Sequence, residues 1–307
     1  MKLSVGAAYS ASVYGRYENG HYVAAPSIND VIETIRTTAD MGYDAVELET
    51  LLKTQVTDVY TPDNIRKIRK VLSDVGITVP HFNAYSVIDA LSGATPGERR
   101  DGVKSLRDVI TIANGLGAKL LVLSGSPIPG VNCSPGKIYS GGPPESVKVP
   151  QNFDWKKIWQ NYVGTISKCA DIAQEEDLKL AIEPRPRQII TNSDSLLRLI
   201  NEVNKKNVGA LIDTAHLFVQ KELLPVAIQK LRGRIFGLHL ADNDGTLEYH
   251  WAPSKGKIDW TGVLDALKKV AFDEYLTVEL EGVGVTNLER EYVESREYLT
   301  RLLNRLH

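Results

Sequence analysis

Two patterns of apolar residues alternate along this chain. Short, nearly continuous apolar runs occupy residues 3–8, 43–48, 77–80, 119–123, 178–182, 208–212, 235–238 and 275–278. Runs of this length bounded by polar segments read as strands buried on both faces. Between them lie stretches with apolar residues three and four apart, the spacing of a helix with one buried face. Ser27 caps the first of these, with Ile28, Val31, Ile32 and Ile35 forming its stripe up to about Met41, and Gly42 ends it. Thr61-Pro62-Asp63 starts the second, which stops at Gly76. Further helices are expected over 95–116 and 154–176, after Ser193, over 216–232 with Pro225 opening a second piece, after Asp259-Trp260, and over 286–306.

Eight strands alternating with eight helices in 307 residues predict a single-domain α/β (β/α)8 TIM barrel, residues 1–307. An open doubly wound sheet is the rival, and no Gly-rich phosphate turn after the first strand supports it. Residues 9–26 read as a loop. The one long irregular segment runs from Gly125 to Asn152 (the β4-α4 loop at about 125–153) and is rich in Gly, Pro and Ser. Such a segment inside a compact domain is a lid or an insertion.

In a barrel all strand carboxyl ends share one rim. Here those ends carry Glu49, His81, Ser124, Glu183, Asp213, His239 and Glu279. Read singly, each is unremarked: Asp213 could cap the next helix, His239 could be a satisfied core histidine, and Glu279 could be a solvated rim acid. Read together, three carboxylates and one imidazole at four successive strand ends repel one another unless a cation sits among them. Glu183, Asp213, His239 and Glu279 therefore predict one divalent metal ion. Oxygen and nitrogen donors without cysteine suit Mn, Mg, Co or Zn. Glu49 is a candidate hydroxyl anchor. Arg185 and Arg187 follow Glu183 and could hold a phosphate or carboxylate, or be solvated. Tyr249 and Trp251 could wall a sugar site or pack their loop, and His21 and His307 read as structural or terminal.

Composition narrows the function classes. A formal charge of −2 argues against a dedicated nucleic-acid binder. No apolar run is long enough for a membrane span. The amino terminus is a poor signal peptide and a good first strand. Two cysteines, Cys133 and Cys169, make no disulfide framework, so a cytoplasmic location is expected and both thiols read as inert.

The motifs Ala181-Ile-Glu183-Pro, Asp213-Thr-Ala-His216, His239-Leu-Ala-Asp242-Asn243-Asp-Gly, His250 followed by Gly256-Lys-Ile-Asp259-Trp260, and Val278-Glu279-Leu carry a resemblance. Over nearly its whole length the chain resembles the xylose isomerase-like TIM-barrel superfamily of sugar and sugar-phosphate isomerases and epimerases. The resemblance implies that Glu183, Asp213, His239 and Glu279 are metal ligands, and that His81, His216 and His250 face substrate oxygens or phosphate. It implies proton transfer next to a carbonyl through a metal-stabilised enediolate, with Glu183 and Glu279 as the catalytic pair on opposite faces of the reacting carbon. A metal-bound carboxylate is a poor base unless its pocket is dry, which would give the 125–152 segment a lid role. The implied partner is a small carbohydrate. The resemblance is compatible with a homo-oligomer. Lyase chemistry on the same scaffold, as in inosose dehydratases or C-glycoside deglycosidases acting on a 3-oxo-glycoside, starts from the same proton abstraction, and a deglycosidase would add a small partner subunit. The AP endonuclease-type (endonuclease IV) pattern is matched at His81, Glu183, Asp213, His216, His239, His250 and Glu279, with Glu248 in place of an Asp. It departs at Ser124, where that family carries a metal-binding His.

Overall fold

The computed structural model describes residues 1–18, 21–134, 146–281 and 287–305. Nine parallel strands form the central sheet: β1 (Lys2–Val5), β2 (Ala45–Val46), β3 (Leu48–Glu49), β4 (His81–Asn83), β5 (Leu120–Ser124), β6 (Lys179–Glu183), β7 (Val208–Asp213), β8 (Ile235–Leu240) and β9 (Tyr275–Val278). The two edge strands, β2 and β3, are halves of one stretch interrupted at Glu47. That stretch closes the barrel, because Ala45 pairs with Ser4 on one side and with Thr78 on the other. The eight expected strands are present as a TIM barrel, with the second in two pieces.

Helices cover the outside, as parallel connections require. Their starts follow local sequence. Ser27 and Thr95 form capping boxes with Asp30 and Glu98, and Thr61 caps the helix Pro62–Val75. Gly76 and Gly117 end their helices in the left-handed conformation. Alternation along the strands sorts the two faces. In β5, Leu121 and Leu123 join the main core against the helices, whereas Leu120 and Val122 join Ala181 and Leu211 in a separate small cluster inside the barrel. By the same alternation, the inward positions two residues after Ala181, Leu211, Gly237 and Thr277 are Glu183, Asp213, His239 and Glu279.

Several boundaries differ from the sequence expectation. The first strand ends at Val5, and residues 9–26 are not a plain loop: they hold the helix Ala8–Tyr14 and a hairpin of Arg16–Glu18 with His21–Ala24. The third strand is not 77–80 but His81–Asn83. Pro80 has no N–H to give a ladder, and Thr78 makes only an isolated bridge, so regular pairing begins after the proline. The helical stretch over 216–232 is in two pieces as expected, Thr214–Val219 and Leu224–Lys230, with Pro225 in the first turn of the second. The 125–152 segment holds a short hairpin, Asn132–Ser134 with Ser146–Lys148. Its residues 135–145 lie outside the described residues, as do Thr286, Leu306 and His307. The last helix runs Leu288–Arg305. Cys169 is buried in the helix Trp155–Glu175, and burial pushes its thiol up to about 12, which keeps it protonated and inert.

Candidate metal centre and its surroundings

Register puts two of the four expected ligands side by side and a third close by. Asp213 pairs with His239, and Val278, just before Glu279, pairs with Leu240. Donor atoms of Glu183, Asp213, His239 and Glu279 lie within 4.8 Å of one another. They converge on one ring nitrogen: His239 Nδ1 is 2.8 Å from Glu183 Oε1, 3.1 Å from Glu279 Oε2 and 4.0 Å from Asp213 Oδ2. Three carboxylates round one imidazole, nearly all buried, are a donor set that fits a hard or borderline divalent cation. Gly6 makes the space for Glu279. A Cβ on Gly6 would lie 2.8 Å from the Glu279 Cβ, so the end of β1 can carry no side chain here.

Asp213 does two things at once. Its Oδ1 accepts from the His216 N–H at 2.9 Å and caps the helix Thr214–Val219, while Oδ2 faces the pocket. The capping reading and the ligand reading are therefore compatible. Burial would raise the Asp213 carboxyl, but the charges of His216 and His250 outweigh it and hold it low. Burial also opposes ionisation of Glu183, and its hydrogen bond to His239 reverses the balance. For His239, burial favours the neutral ring, yet Glu279 and Glu47 hold the imidazole well above the usual histidine range.

A second histidine pair stands beside this group. The rings of His216 and His250 are 4.8 Å apart and edge to face. His250 Nε2 lies 3.3 Å from Asp213 Oδ2, and these two histidines with Asp213 form another group whose donors lie within 4.8 Å. His216 Nδ1 is 2.7 Å from Glu248 Oε1, at an ion-pair distance but without hydrogen-bond alignment. Neither nitrogen of His216, nor Nδ1 of His250, makes a hydrogen bond among the described residues. Burial lowers the basicity of His250, but Glu281 and Asp213 more than compensate and bring it to about 10. Arg185 hydrogen-bonds the Tyr85 hydroxyl and reaches within 4.0 Å of Glu248, so it walls this side rather than being solvated.

His81, expected to face substrate, lies a layer lower. Its Nδ1 is 2.7 Å from Glu47 Oε1, and its Cε1 packs against Gly237, two residues below His239. Glu49 is in the pocket wall, buried, with Oε1 unbonded among the described residues. Burial and then the charges of Glu279 and Glu47 raise its carboxyl to about 8. Ser124 Oγ donates to Gln188 Oε1 at 3.0 Å. Asp242, inside the motif, is a structural knot: its carboxylate accepts from the N–H groups of Asn243, Ser254 and Ile258 and from Trp260 Nε1. Gly256 is needed there, because a Cβ would meet Asp242 Oδ1 at 2.3 Å. Tyr249 and Trp251 stack on each other at 4.7 Å. Glu47 and Glu49 both stand at the close of the run 43–48 in the sequence, and the interior position of Glu47 follows only from the break between β2 and β3.

With that geometry in place, the match of residues 35–302 to the family described as "Xylose isomerase-like TIM barrel" is decisive. The chain belongs to this family. An L-ribulose 3-epimerase of Mesorhizobium japonicum is 20% identical over 83% of this chain and 77% of its own length. The inosose isomerase of Bacillus subtilis is 27% identical over 41% of this chain, and there the chain spans about half the relative's length, 48%. A fructoselysine 3-epimerase of Escherichia coli O157:H7 is likewise matched over 48% of its length, at 24% identity. Among solved structures, a D-psicose 3-epimerase from Clostridium cellulolyticum, crystallised with D-tagatose, superposes with a TM-score of 0.76 at 17% identity over 99% of both chains. A 3-keto-D-glucoside 4-epimerase from E. coli superposes with a TM-score of 0.73 at 16% identity, covering 98% of this chain and 99% of its own. These likenesses establish the shared barrel. Among the described residues no helix is long and apolar enough to cross a membrane.

Proposed function

We propose that this chain is a divalent-metal-dependent epimerase or isomerase of a small keto sugar. The observation that carries the reading is the convergence of Glu183, Asp213 and Glu279 on His239 Nδ1. Glu183, Asp213, His239 and Glu279 would hold the cation. When bound, it would act as a Lewis acid on the substrate carbonyl and its neighbouring hydroxyl.

The protein's own residues supply the rest. Glu183 and Glu279 sit on strands separated by β7 and β8 and close on the centre from different sides. One removes the proton beside the carbonyl and the other returns a proton from the far side, which inverts that carbon. Both need a pocket from which water is kept, and Glu183 is buried. His216 and His250, with unbonded ring nitrogens, are placed to donate to sugar hydroxyls. Arg185, aligned by Tyr85, and Glu49 complete the polar wall.

The epimerase names of several relatives support this class of substrate. Two features weigh against the endonuclease pattern: Ser124 stands in place of a histidine and is engaged by Gln188, and His81 is engaged by Glu47. The test is a screen of free and phosphorylated ketoses and of 3-oxo-glycosides with manganese-loaded protein in heavy water. Deuterium uptake at the carbon next to the carbonyl with recovery of an epimer supports the reading. Uptake followed by loss of water or of an aglycone makes the chain a lyase, and no uptake with any substrate overturns proton transfer.

A further inference from the structure

Directly beneath His239 the barrel interior changes character. The inward cluster of β5, β6 and β7 is apolar: Leu120, Val122, Ala181 and Leu211. On the opposite wall stands Glu47, fully buried, in the break between β2 and β3. A carboxylate with no access to water is costly unless its oxygens are bonded. Here they are. Oε1 lies 2.7 Å from His81 Nδ1 and accepts from Thr277 Oγ1 at 2.9 Å. Oε2 lies 2.9 Å from His239 Nε2 and 3.4 Å from Asn83 Nδ2. Four side chains from three other strands thus fix one carboxylate.

An ionised carboxylate accepts hydrogen bonds and gives none. Both ring nitrogens of His239 face carboxylates and carry hydrogen in the metal-free site, but only Nδ1 also faces Asp213 and Glu279, so a cation there would displace the Nδ1 hydrogen and leave the one on Nε2. In the neutral ring that results, the lone pair is on Nδ1, the nitrogen that faces Glu183, Asp213 and Glu279. We propose that Glu47 is the positioning residue of the metal centre: held by His81, Thr277 and Asn83, it grips His239 Nε2–H and so presents Nδ1 to the cation. This rests on the metal-dependent reading above. Its distinct content is that an acid outside the ligand set controls how the imidazole binds. A carboxylate behind a metal-bound histidine orients the ring and raises its donor strength.

The experiment measures Mn²⁺ dissociation constants by equilibrium dialysis for the wild type, Glu47→Gln and Thr277→Val. It is paired with ¹⁵N-histidine NMR of zinc-loaded wild type, in which the His239 signals are identified by their loss in His239→Gln. Glu47→Gln is expected to weaken Mn²⁺ binding by about 10–100-fold. Thr277→Val, which loosens Glu47 without removing its charge, gives a smaller loss in the same direction. The wild-type ring shows hydrogen on Nε2 and zinc on Nδ1. Equal Mn²⁺ affinity in folded Glu47→Gln, or zinc on Nε2 in the wild type, overturns the proposal while leaving the metal reading standing. Wild-type protein that binds no Mn²⁺ overturns both.

Discussion

His239 and the pair His216/His250 occupy the same rim, yet their surroundings are opposite. Both nitrogens of His239 are engaged by protein carboxylates, Nε2 by Glu47 and Nδ1 by Glu183. Both nitrogens of His216 and one of His250 have no hydrogen bond among the described residues. All three rings are buried, so the contrast is not one of solvent access. Buried polar atoms are normally bonded, so one side of the pocket is organised from within and the other is shaped for something brought to it. On the proposed reading, the first side would hold the metal and the second the sugar.

Replacing the proton-transfer acids should have the largest effect. Glu183→Gln or Glu279→Gln is expected to slow deuterium exchange by about 10²–10⁴-fold, the usual contribution of a positioned acid or base. Exchange assays on manganese-saturated protein check this, with residual binding of Mn²⁺ measured in parallel. An undiminished exchange rate in either variant would remove that glutamate from the chemistry.

Gly6→Ala comes next. Its methyl would push Glu279 out of place, since the added Cβ falls 2.8 Å from the Glu279 Cβ. Overpacking of this kind costs about 1–3 kcal/mol of stability. We expect weaker Mn²⁺ binding beyond that loss, read by calorimetry in the folded variant. Affinity equal to wild type would mean that Glu279 is not a ligand.

On the other side of the comparison, His216→Gln and His250→Gln should leave Mn²⁺ affinity nearly unchanged and raise KM. Losing one hydrogen bond to substrate is worth about 1 kcal/mol, roughly fivefold. A loss of metal affinity as large as that of the Glu183 variant would erase the contrast between the two sides.

Much of this was legible in the sequence, for a physical reason. Strands β6–β9 are buried on both faces, so each is an apolar run ended by one polar residue, and that end carries the candidate ligand. The first half of the barrel follows a different rule. Glu47 sits at a break between strands, and His81 opens a strand after a proline instead of ending one. Both side chains turn inward below the rim, whereas the end of the run 77–80 put His81 at the rim and the run 43–48 did not separate Glu47 from Glu49. The hairpin of Arg16–Glu18 with His21–Ala24 was likewise hidden, because strands of three and four residues are too short to show an alternation.

A last prediction concerns stability rather than activity, in the acid behaviour of the metal-free protein. Glu49 is raised from 4.5 to about 8. Between those values the folded state keeps a proton that the unfolded state has lost. Stability therefore falls as pH rises through that window, by up to about 1.4 kcal/mol per pH unit from this group. Glu49→Gln should flatten the stability profile of the metal-free protein between about pH 5 and 8 by that slope, as read by urea unfolding. An unchanged slope would show that Glu49 ionises normally.

Anomalous diffraction from a crystal of the manganese-loaded protein tests the central claim most directly. One peak is expected, enclosed by Glu183, Asp213, His239 Nδ1 and Glu279. A peak held by His216 and His250 instead, or no peak between the three carboxylates, would contradict it.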